Sequence, residues 1–473
     1  MAPMTKLSED LLSVFDSAPL NGRFWSSFAL LGGVYVLDFF DFFLIAFILA
    51  VIGPAWHLSY GQAALILYGS GLGAILGSLV WGSLGDVFGR KLQTVTGTLI
   101  CGVAAGLIGV LPTGAYVPLA LLRIFVGFGL AAAITPALTI MVELTPTRWR
   151  SGLTSLFVVS ASLGPLLASA TSRAFLGALG WRGVAMFGLL PIVIGGLVWA
   201  FQPESPRWLI AKGRFDEARA AVAKHLRLPT DRVPLPVRQP TTPPRASLAE
   251  LYASPRLFWQ TLLIWGGATT AGFGYLLWGP TIIALTLHAS VAKAAEYFVY
   301  VSVSAMIGRL LIAWLAQKTG RRKLGIFVSF AATVLLALAG YYSTALIGGF
   351  PVFVILVAAA AFFVEGGLGN ITPYTIEQYG VRLGSRASGL GHAAAGIGKI
   401  LGPLTLAVIA GTGNIVSPKA TEAAVFPAFM LLSFCMFSVA LAFLFLARET
   451  HGRVLALDIA AEPVPPQPRV VAR

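Results

Sequence analysis

The chain has 473 residues, of which 57% are hydrophobic and only 11% charged. A soluble domain carries about 25% charged residues, so this composition excludes an ordinary cytosolic enzyme and a disordered protein. Lys and Arg outnumber Asp and Glu by 33 to 19, a net charge of +14, which points either to nucleic acid or to the basic cytoplasmic loops of a membrane protein.

A helix needs about 20 mostly apolar residues to cross a bilayer. Twelve stretches meet that description: 25–53, 62–84, 92–111, 115–143, 152–176, 183–201, 257–280, 292–317, 324–345, 350–376, 386–411 and 422–447. None alternates as a β-barrel strand does, and the first is too long for a signal-peptide core. One set of loops is basic, with Arg90, Lys91, Arg148, Arg150, Lys318, Arg321, Arg322, Lys323, Arg382 and Arg386. The 202–256 linker adds ten more basic residues, from Arg207 to Arg256. The opposite loops hold only Arg173, Arg182, Lys293 and Lys419. The positive-inside rule then predicts that the 1–24 segment and the 448–473 tail of this multi-pass protein are both cytoplasmic, and the cell (bacterial inner) membrane is the expected location. The charge is a topology signal, and no nucleic-acid partner is expected.

The linker separates two six-span bundles, 25–201 and 257–447. Pro206 to about Arg227 reads as one or two short amphipathic helices. Pro229, Pro234, Pro236, Pro240, Pro243 and Pro244 then predict an extended connection. Cys101 and Cys435 lie in apolar stretches and read as small buried residues, with no disulfide or metal site.

Landmarks recur in the same order in both halves. Gly53-Pro54 closes the first span and Gly279-Pro280 the seventh. Gly89-Arg90-Lys91 follows the second, and Gly320-Arg321-Arg322 the eighth. Glu143 ends the fourth span, and Glu377 follows the tenth. Gly164-Pro165 lies in the fifth, and Gly402-Pro403 in the eleventh. Glu204 follows the sixth, and Glu449 the twelfth. Five ordered pairs argue for an internal duplication. The expected fold is an all-α membrane protein, twelve transmembrane helices in two pseudo-symmetric six-helix bundles, suited to alternating access.

The run Gly82-Ser83-Leu84-Gly85-Asp86-Val87-Phe88-Gly89-Arg90-Lys91 resembles the loop 2–3 motif of the major facilitator superfamily, and the resemblance covers nearly the whole chain. Val87 stands where that motif has a basic residue, and the second copy has Gln317 in place of Asp86. Pro203-Glu204-Ser205-Pro206-Arg207-Trp208-Leu209 and Arg448-Glu449-Thr450-His451-Gly452 resemble the motifs after spans six and twelve in the sugar-porter branch and its organic-acid relatives. Glu143 through Arg150 resembles their loop 4–5 charge pair. The resemblance implies cytoplasmic ion pairs that break on opening. Its gating candidates are Asp86, Arg90, Glu143, Arg148, Arg150, Glu204, Glu377, Arg382 and Arg386, none expected to touch substrate.

A charge within a span costs roughly 2.5–3.5 kcal/mol on insertion scales and needs a partner or a purpose. Six lie deep: Asp38 and Asp41 in span one, Arg123 in span four, Arg309 in span eight, Glu365 in span ten and Lys399 in span eleven. Asp38 and Asp41 share a helix face, and two close carboxylates resist joint ionisation, as a proton carrier requires. The alternative for Asp38 is a polar residue bonded to a neighbouring helix. The run Leu37-Asp38-Phe39-Phe40-Asp41-Phe42 resembles the Asp-Gly-aromatic-Asp motif of the aromatic-acid (metabolite):proton symporters, which include niacin-type transporters, with Phe39 replacing Gly. That resemblance implies that Arg123 faces Asp41 and that protonation frees it. Lys399 either attracts an anionic substrate or neutralises Glu365 or Asp38, and Glu365 is either a second proton site or that partner. Arg309 reads as a snorkelling or gating residue, and His392 as a packed polar one.

Phe39, Phe42, Tyr68, Tyr275, Trp278 and Tyr374 line candidate cavity faces, alongside Arg123 and Lys399, and suit a small aromatic ligand; each alone also suits helix packing. Tyr275-Leu276-Leu277-Trp278-Gly279-Pro280 resembles the seventh span of organic-acid symporters. Sugar porters place Gln in spans five and seven, and here only Gln260 is found, near the cytoplasmic end. The expected function is secondary active symport of a small carboxylate, benzoate-like or nicotinate-like, with protons as coupling ion and no other cofactor. A monomer in the lipid bilayer is expected. A sugar or polyol symporter is the alternative, and a drug exporter or non-transporting receptor fits less well. With no nucleophile–base or metal-ligand cluster, an enzyme is not expected.

Overall fold

The computed structural model describes residues 11–146, 148–235 and 249–450. Apart from a two-stranded hairpin pairing Leu346–Ile347 with Phe350–Pro351, the named secondary-structure elements of the described residues are helices. Among the described residues, ten stretches are long and apolar enough to cross a membrane, beginning with Gly22–Ala55 and ending with Pro418–Leu446. One of them, Gly152–Phe201, runs 50 residues and is broken at Gly180, whose φ of 63° is outside helical space, so it supplies two spans. With Pro255–Thr286, a further helix of 32 residues, the twelve expected spans are accounted for. Gly380 (φ 77°) divides the last long run in the same way, between Val352–Gly380 and Arg386–Ala410.

Prolines act differently in the two halves. Pro280 was expected to close the seventh span, yet its helix continues to Thr286. The outer turns are held there by buried neighbours: the Phe298 ring fills the space above Gly279, and the Trp278 indole N–H donates to the Pro403 carbonyl at 2.7 Å. Pro165 does interrupt its helix. Just before it the chain tightens at Ala161 and Ser162, whose N–H groups bond three residues back to Val158 and Val159. A proline ring clashes with the carbonyl four residues earlier, and a tightened turn relieves it.

Helices in lipid associate by close packing rather than by hydrophobic burial. Gly164 shows how this works around Phe39. A Cβ at Gly164 would stand 2.5 Å from Phe39 Cβ and 2.7 Å from the Phe40 nitrogen. The small residue needed at this crossing is supplied by the fifth span, which leaves the first free to carry Phe39.

The chain forms two compact units, one of residues 1–44, 72–168 and 179–243, the other of 45–71, 169–178 and 244–473. The first contains the two linker helices, Pro206–Ala211 and Phe215–Leu226. The proline-rich stretch 236–248 and the tail 451–473 lie outside the described residues. In the second unit, segment 45–71 is stitched to the loop before the last helix. Tyr60 and Gly61 N–H groups donate to Asn414 and Thr412 carbonyls, and Val416 N–H to Leu58, each at 2.9 Å. Tyr60 also shares a 2.6 Å hydrogen bond with Thr421.

Candidate functional site

The first unit buries three of the six deep charges together. Asp38 and Asp41 lie on the helix Gly22–Ala55 and Arg123 on Tyr116–Leu144; all are at most 4% exposed. Arg123 Nη1 donates to Asp41 Oδ2 at 3.3 Å and to the Asp41 carbonyl at 3.4 Å, while Nη2 donates to the Phe42 carbonyl at 3.2 Å. The guanidinium also stands 5.9 Å from the Phe42 ring centroid. Gly188 leaves room for the acid: a Cβ there would be 3.1 Å from Asp41 Oδ1. Neither oxygen of Asp38 receives a hydrogen bond, and Arg123 Nε donates to none. The helix-to-neighbour bond weighed for Asp38 is therefore not formed. Phe39 is half-buried against Tyr35, with ring centroids 5.7 Å apart.

The second unit holds the other three deep charges. Lys399 is half-buried, with Nζ 5.5 Å from the Phe273 ring centroid. Its Cβ packs where Gly71 lacks one, at 3.2 Å from an ideal Cβ. Glu365 pairs with Arg309, Nη2 to Oε2 at 2.5 Å. This corrects two expectations. Arg309 does not snorkel, and the partner of Glu365 is Arg309 rather than Lys399. Tyr275 is fully buried and its hydroxyl makes no hydrogen bond. Trp278 is 1% exposed, with its indole spent on Pro403 and its ring 5.8 Å from Tyr60. Tyr68 is half-buried. Tyr374 departs from the expected cavity role: its hydroxyl donates to the Arg448 carbonyl at 2.7 Å, in the cluster of Glu377 and Glu449 at the basic end. His392 Nδ1 lies 2.8 Å from the Ser388 carbonyl, and its ring packs 4.8 Å from Trp265.

The duplication is visible atom by atom at the basic end. Glu204 accepts the N–H groups of Arg90 and Lys91 at 3.1–3.2 Å. Glu449 accepts those of Arg321, Arg322 and Lys323 at 3.0–3.5 Å. Each carboxylate thus caps a helix N-terminus, where unpaired N–H groups favour an anion. Gly89 and Gly320 precede the capped helices, both at φ 97°. Burial pushes the Glu204 carboxyl above its ordinary range against the pull of those N–H bonds. Arg90 meets Glu204 through its backbone N–H, and its positive charge also acts on that carboxylate.

A further correction concerns Glu143 and Arg150. They do not pair: the Ser205 hydroxyl donates to Glu143, and Arg150 bonds Asp16 at 2.9 Å and the Thr145 carbonyl at 3.2 Å. Asp16 also takes Arg207 at 3.0 Å, so one acid of the helix Leu11–Ser17 replaces Glu143 as partner. In the other half, Glu377 accepts from the Thr450 hydroxyl at 2.6 Å and from Arg321 at 2.9 Å. Ser205 and Thr450 occupy matching positions directly after Glu204 and Glu449, a signal legible in the sequence; Asp16 had none. Arg386 is half-buried, and the side chains of Asp86 and Arg382 lie outside the described residues.

The profile of the Major Facilitator Superfamily matches residues 31–403. The chain is 26% identical over 461 residues to the niacin transporter NiaP of Acinetobacter baylyi, covering 94% of this chain and 99% of that one. It is 25% identical over 470 residues to the synaptic vesicle 2-related protein of Rattus norvegicus, covering 92% and 80%. Over 475 residues it is 25% identical to the gallate transporter of Pseudomonas putida, covering 96% and 98%. Among solved structures, the xylose transporter XylE from E. coli, in a partially occluded inward open conformation, aligns with a TM-score of 0.70 at 18% identity, covering 92% of this chain and 100% of that one.

Proposed function

The chain belongs to the Major Facilitator Superfamily of transporters, and from that membership we propose that it is a proton-coupled symporter of a small aromatic or nicotinate-like carboxylate. It works by alternating access in a bacterial inner membrane, with both termini and the basic end in the cytoplasm. The observation that carries this reading is the Asp41–Arg123 ion pair beside the Asp38 carboxyl that no donor reaches. A buried carboxyl without a hydrogen bond is stabilised by holding a proton rather than a charge. Two acids one turn apart let that proton pass from Asp38 to Asp41. Protonated Asp41 no longer holds Arg123 electrostatically, and the freed guanidinium is the moving part of the coupling. Glu365 is a further proton-accepting group.

Lys399 is the anion anchor of this account in the second unit, where Tyr68 and Tyr275 supply apolar and stacking surface, while Phe39 and Phe42 flank the acid pair of the first unit. Niacin and gallate transporters among the relatives favour a carboxylate with an aromatic ring. The sugar alternative has little support: among the described residues of the seventh span, the sole glutamine is Gln260. A thermal-shift screen of the purified protein tests the substrate class. Benzoate, nicotinate and gallate are expected to raise Tm by stabilising the folded state through mass action, and xylose and glucose to leave it unchanged. Stabilisation by the sugars alone overturns the carboxylate assignment.

A further inference from the structure

The C-terminal half carries a charge pair that its helix crossing does not require. Gly77 and Gly308 are 231 residues apart, as are Gly89 and Gly320. Each glycine brings its helix against the fourth helix of its own half. A Cβ at Gly77 would lie 2.8 Å from both the Phe128 carbonyl oxygen and Ala131 Cβ, and one at Gly308 would overlap the Phe362 carbonyl. Phe128 and Phe362 are 234 residues apart, as are Glu143 and Glu377. The same spacings match Ser78 with Arg309 and Ala131 with Glu365. The N-terminal half therefore completes this crossing with a methyl group and a hydroxyl bonded inside its own helix, Ser78 Oγ to the Ile75 carbonyl at 2.8 Å. The C-terminal half has an ion pair instead, with side chains 14% and 11% exposed. Such a pair adds little net stability, and its two charges are costly to insert.

Two further polar atoms show what the pair is built around. The Tyr275 hydroxyl is fully buried without a partner, and Arg309 Nε is buried with none. Gly272 precedes Tyr275 by one turn on the same helix face, and a Cβ there would be 3.5 Å from Glu365 Oε1. The helix Pro255–Thr286 thus turns this face toward Glu365. The groups that bear on Glu365 are Arg309 from Val291–Thr319 and Tyr275 from Pro255–Thr286. The helix Arg321–Tyr341 offers Val328, beside Gly367, while its Arg321 is spent farther along on Asn370 and Glu377.

We propose that Arg309 and Tyr275 form a carboxylate-binding point in the C-terminal half, which Glu365 occupies when ionised and vacates when protonated. This rests on the carboxylate-symport reading. Ionised Glu365 is an internal stand-in for the substrate: a carboxylate on the guanidinium. A proton taken up from water cancels its charge, and the planar fork of Arg309 then accepts the substrate carboxylate in two hydrogen bonds. The Tyr275 hydroxyl, with an unspent proton, donates to the same anion. Lys399 attracts the anion as a point charge, and Arg309 orients it.

Isothermal titration of benzoate and nicotinate into the purified full-length protein, from about pH 5.5 to about pH 8, tests this; carboxylates of this kind stay ionised across that range. Glu365→Gln has the shape of the protonated acid, so its affinity at the alkaline limit should exceed that of wild type about tenfold. Tyr275→Phe removes a hydroxyl that no neighbour depends on, so Tm should hold while affinity falls about tenfold at every pH, the loss of one hydrogen bond to a charged group. Unchanged or weaker binding by Glu365→Gln at the alkaline limit overturns the proposal and leaves carboxylate symport standing, as does unchanged affinity in Tyr275→Phe. Binding of neither acid by wild type at any pH overturns both.

Discussion

Single side chains carry the coupling chemistry, and their roles separate by substitution. Asp41→Asn keeps the volume of the acid and a hydrogen-bond acceptor for Arg123 but removes the exchangeable charge. It is expected to abolish accumulation driven by a pH gradient while substrate exchange at equal pH persists, measured as counterflow in proteoliposomes. Full accumulation in that variant removes Asp41 from the mechanism. Lys399→Ala deletes a cation that packs against Gly71 and faces Phe273. Carboxylate affinity should drop at least tenfold, because an ionic contact in a poorly hydrated site is worth more than about 1.4 kcal/mol. Tm should fall by much less, since half-buried lysines contribute little packing. Equal affinity for every acid tested contradicts the anchor role. The Asp41–Arg123 contact was anticipated only through the resemblance of the Leu37–Phe42 run to the aromatic-acid symporters, since three deep acids and three deep bases can pair in several ways. The Arg309–Glu365 contact was not, because spacing along separate helices does not fix which charges meet.

At the scale of elements, the two carboxylate caps at the basic end make the clearest stability predictions. Gly89 has φ 97° and ψ 162°, a region open essentially to glycine alone, and a Cβ there would also strike Glu204. Gly89→Ala should lower the stability of the purified protein by about 1–3 kcal/mol, read from thermal unfolding; Gly320→Ala should behave alike in the second repeat. The docked linker adds a pH-sensitive element. His225 packs on the rings of Phe15 and Phe24, at centroid distances of 5.3 and 6.5 Å. Burial, aided by nearby Arg23, pushes its imidazole down to about 4. An undocked histidine titrates near 6.5, so between these values the open state binds a proton that the docked state refuses. Docking is therefore at full strength above about pH 7 and weakens as pH falls toward 4, by up to about 3 kcal/mol. The protection factors of amides in 11–24 and 215–228, taken against the intrinsic exchange rate at each pH, should fall on acidification, and His225→Phe should remove the effect. Protection factors independent of pH in wild type contradict it. Proline positions were weaker sequence guides to element boundaries than the glycines at 89, 180, 320 and 380. Pro280 sits inside a helix because Trp278 and Phe298 brace the turns around it, which no local pattern reports.

For the molecule as a whole, the apolar runs and the repeated landmarks were enough to give the number of spans and the duplication, because a bilayer forces each crossing into a long apolar helix. The capping carboxylates and the Ser205 and Thr450 hydroxyls show the same duplication in bonding. The repeat fails at Ser78 and Ala131 against Arg309 and Glu365, and it is at this departure that the second carboxylate point is placed. Substrate chemistry was less legible, since it depends on which side chains converge across helices. The central claim is that downhill proton entry drives uphill entry of an aromatic carboxylate. Its most direct test is uptake of radiolabelled nicotinate and benzoate into proteoliposomes with an acidic exterior. Accumulation above the external concentration, abolished by a protonophore and absent in Asp41→Asn, is predicted. Accumulation indifferent to the protonophore, or uptake of both acids no faster than into empty liposomes, would contradict it.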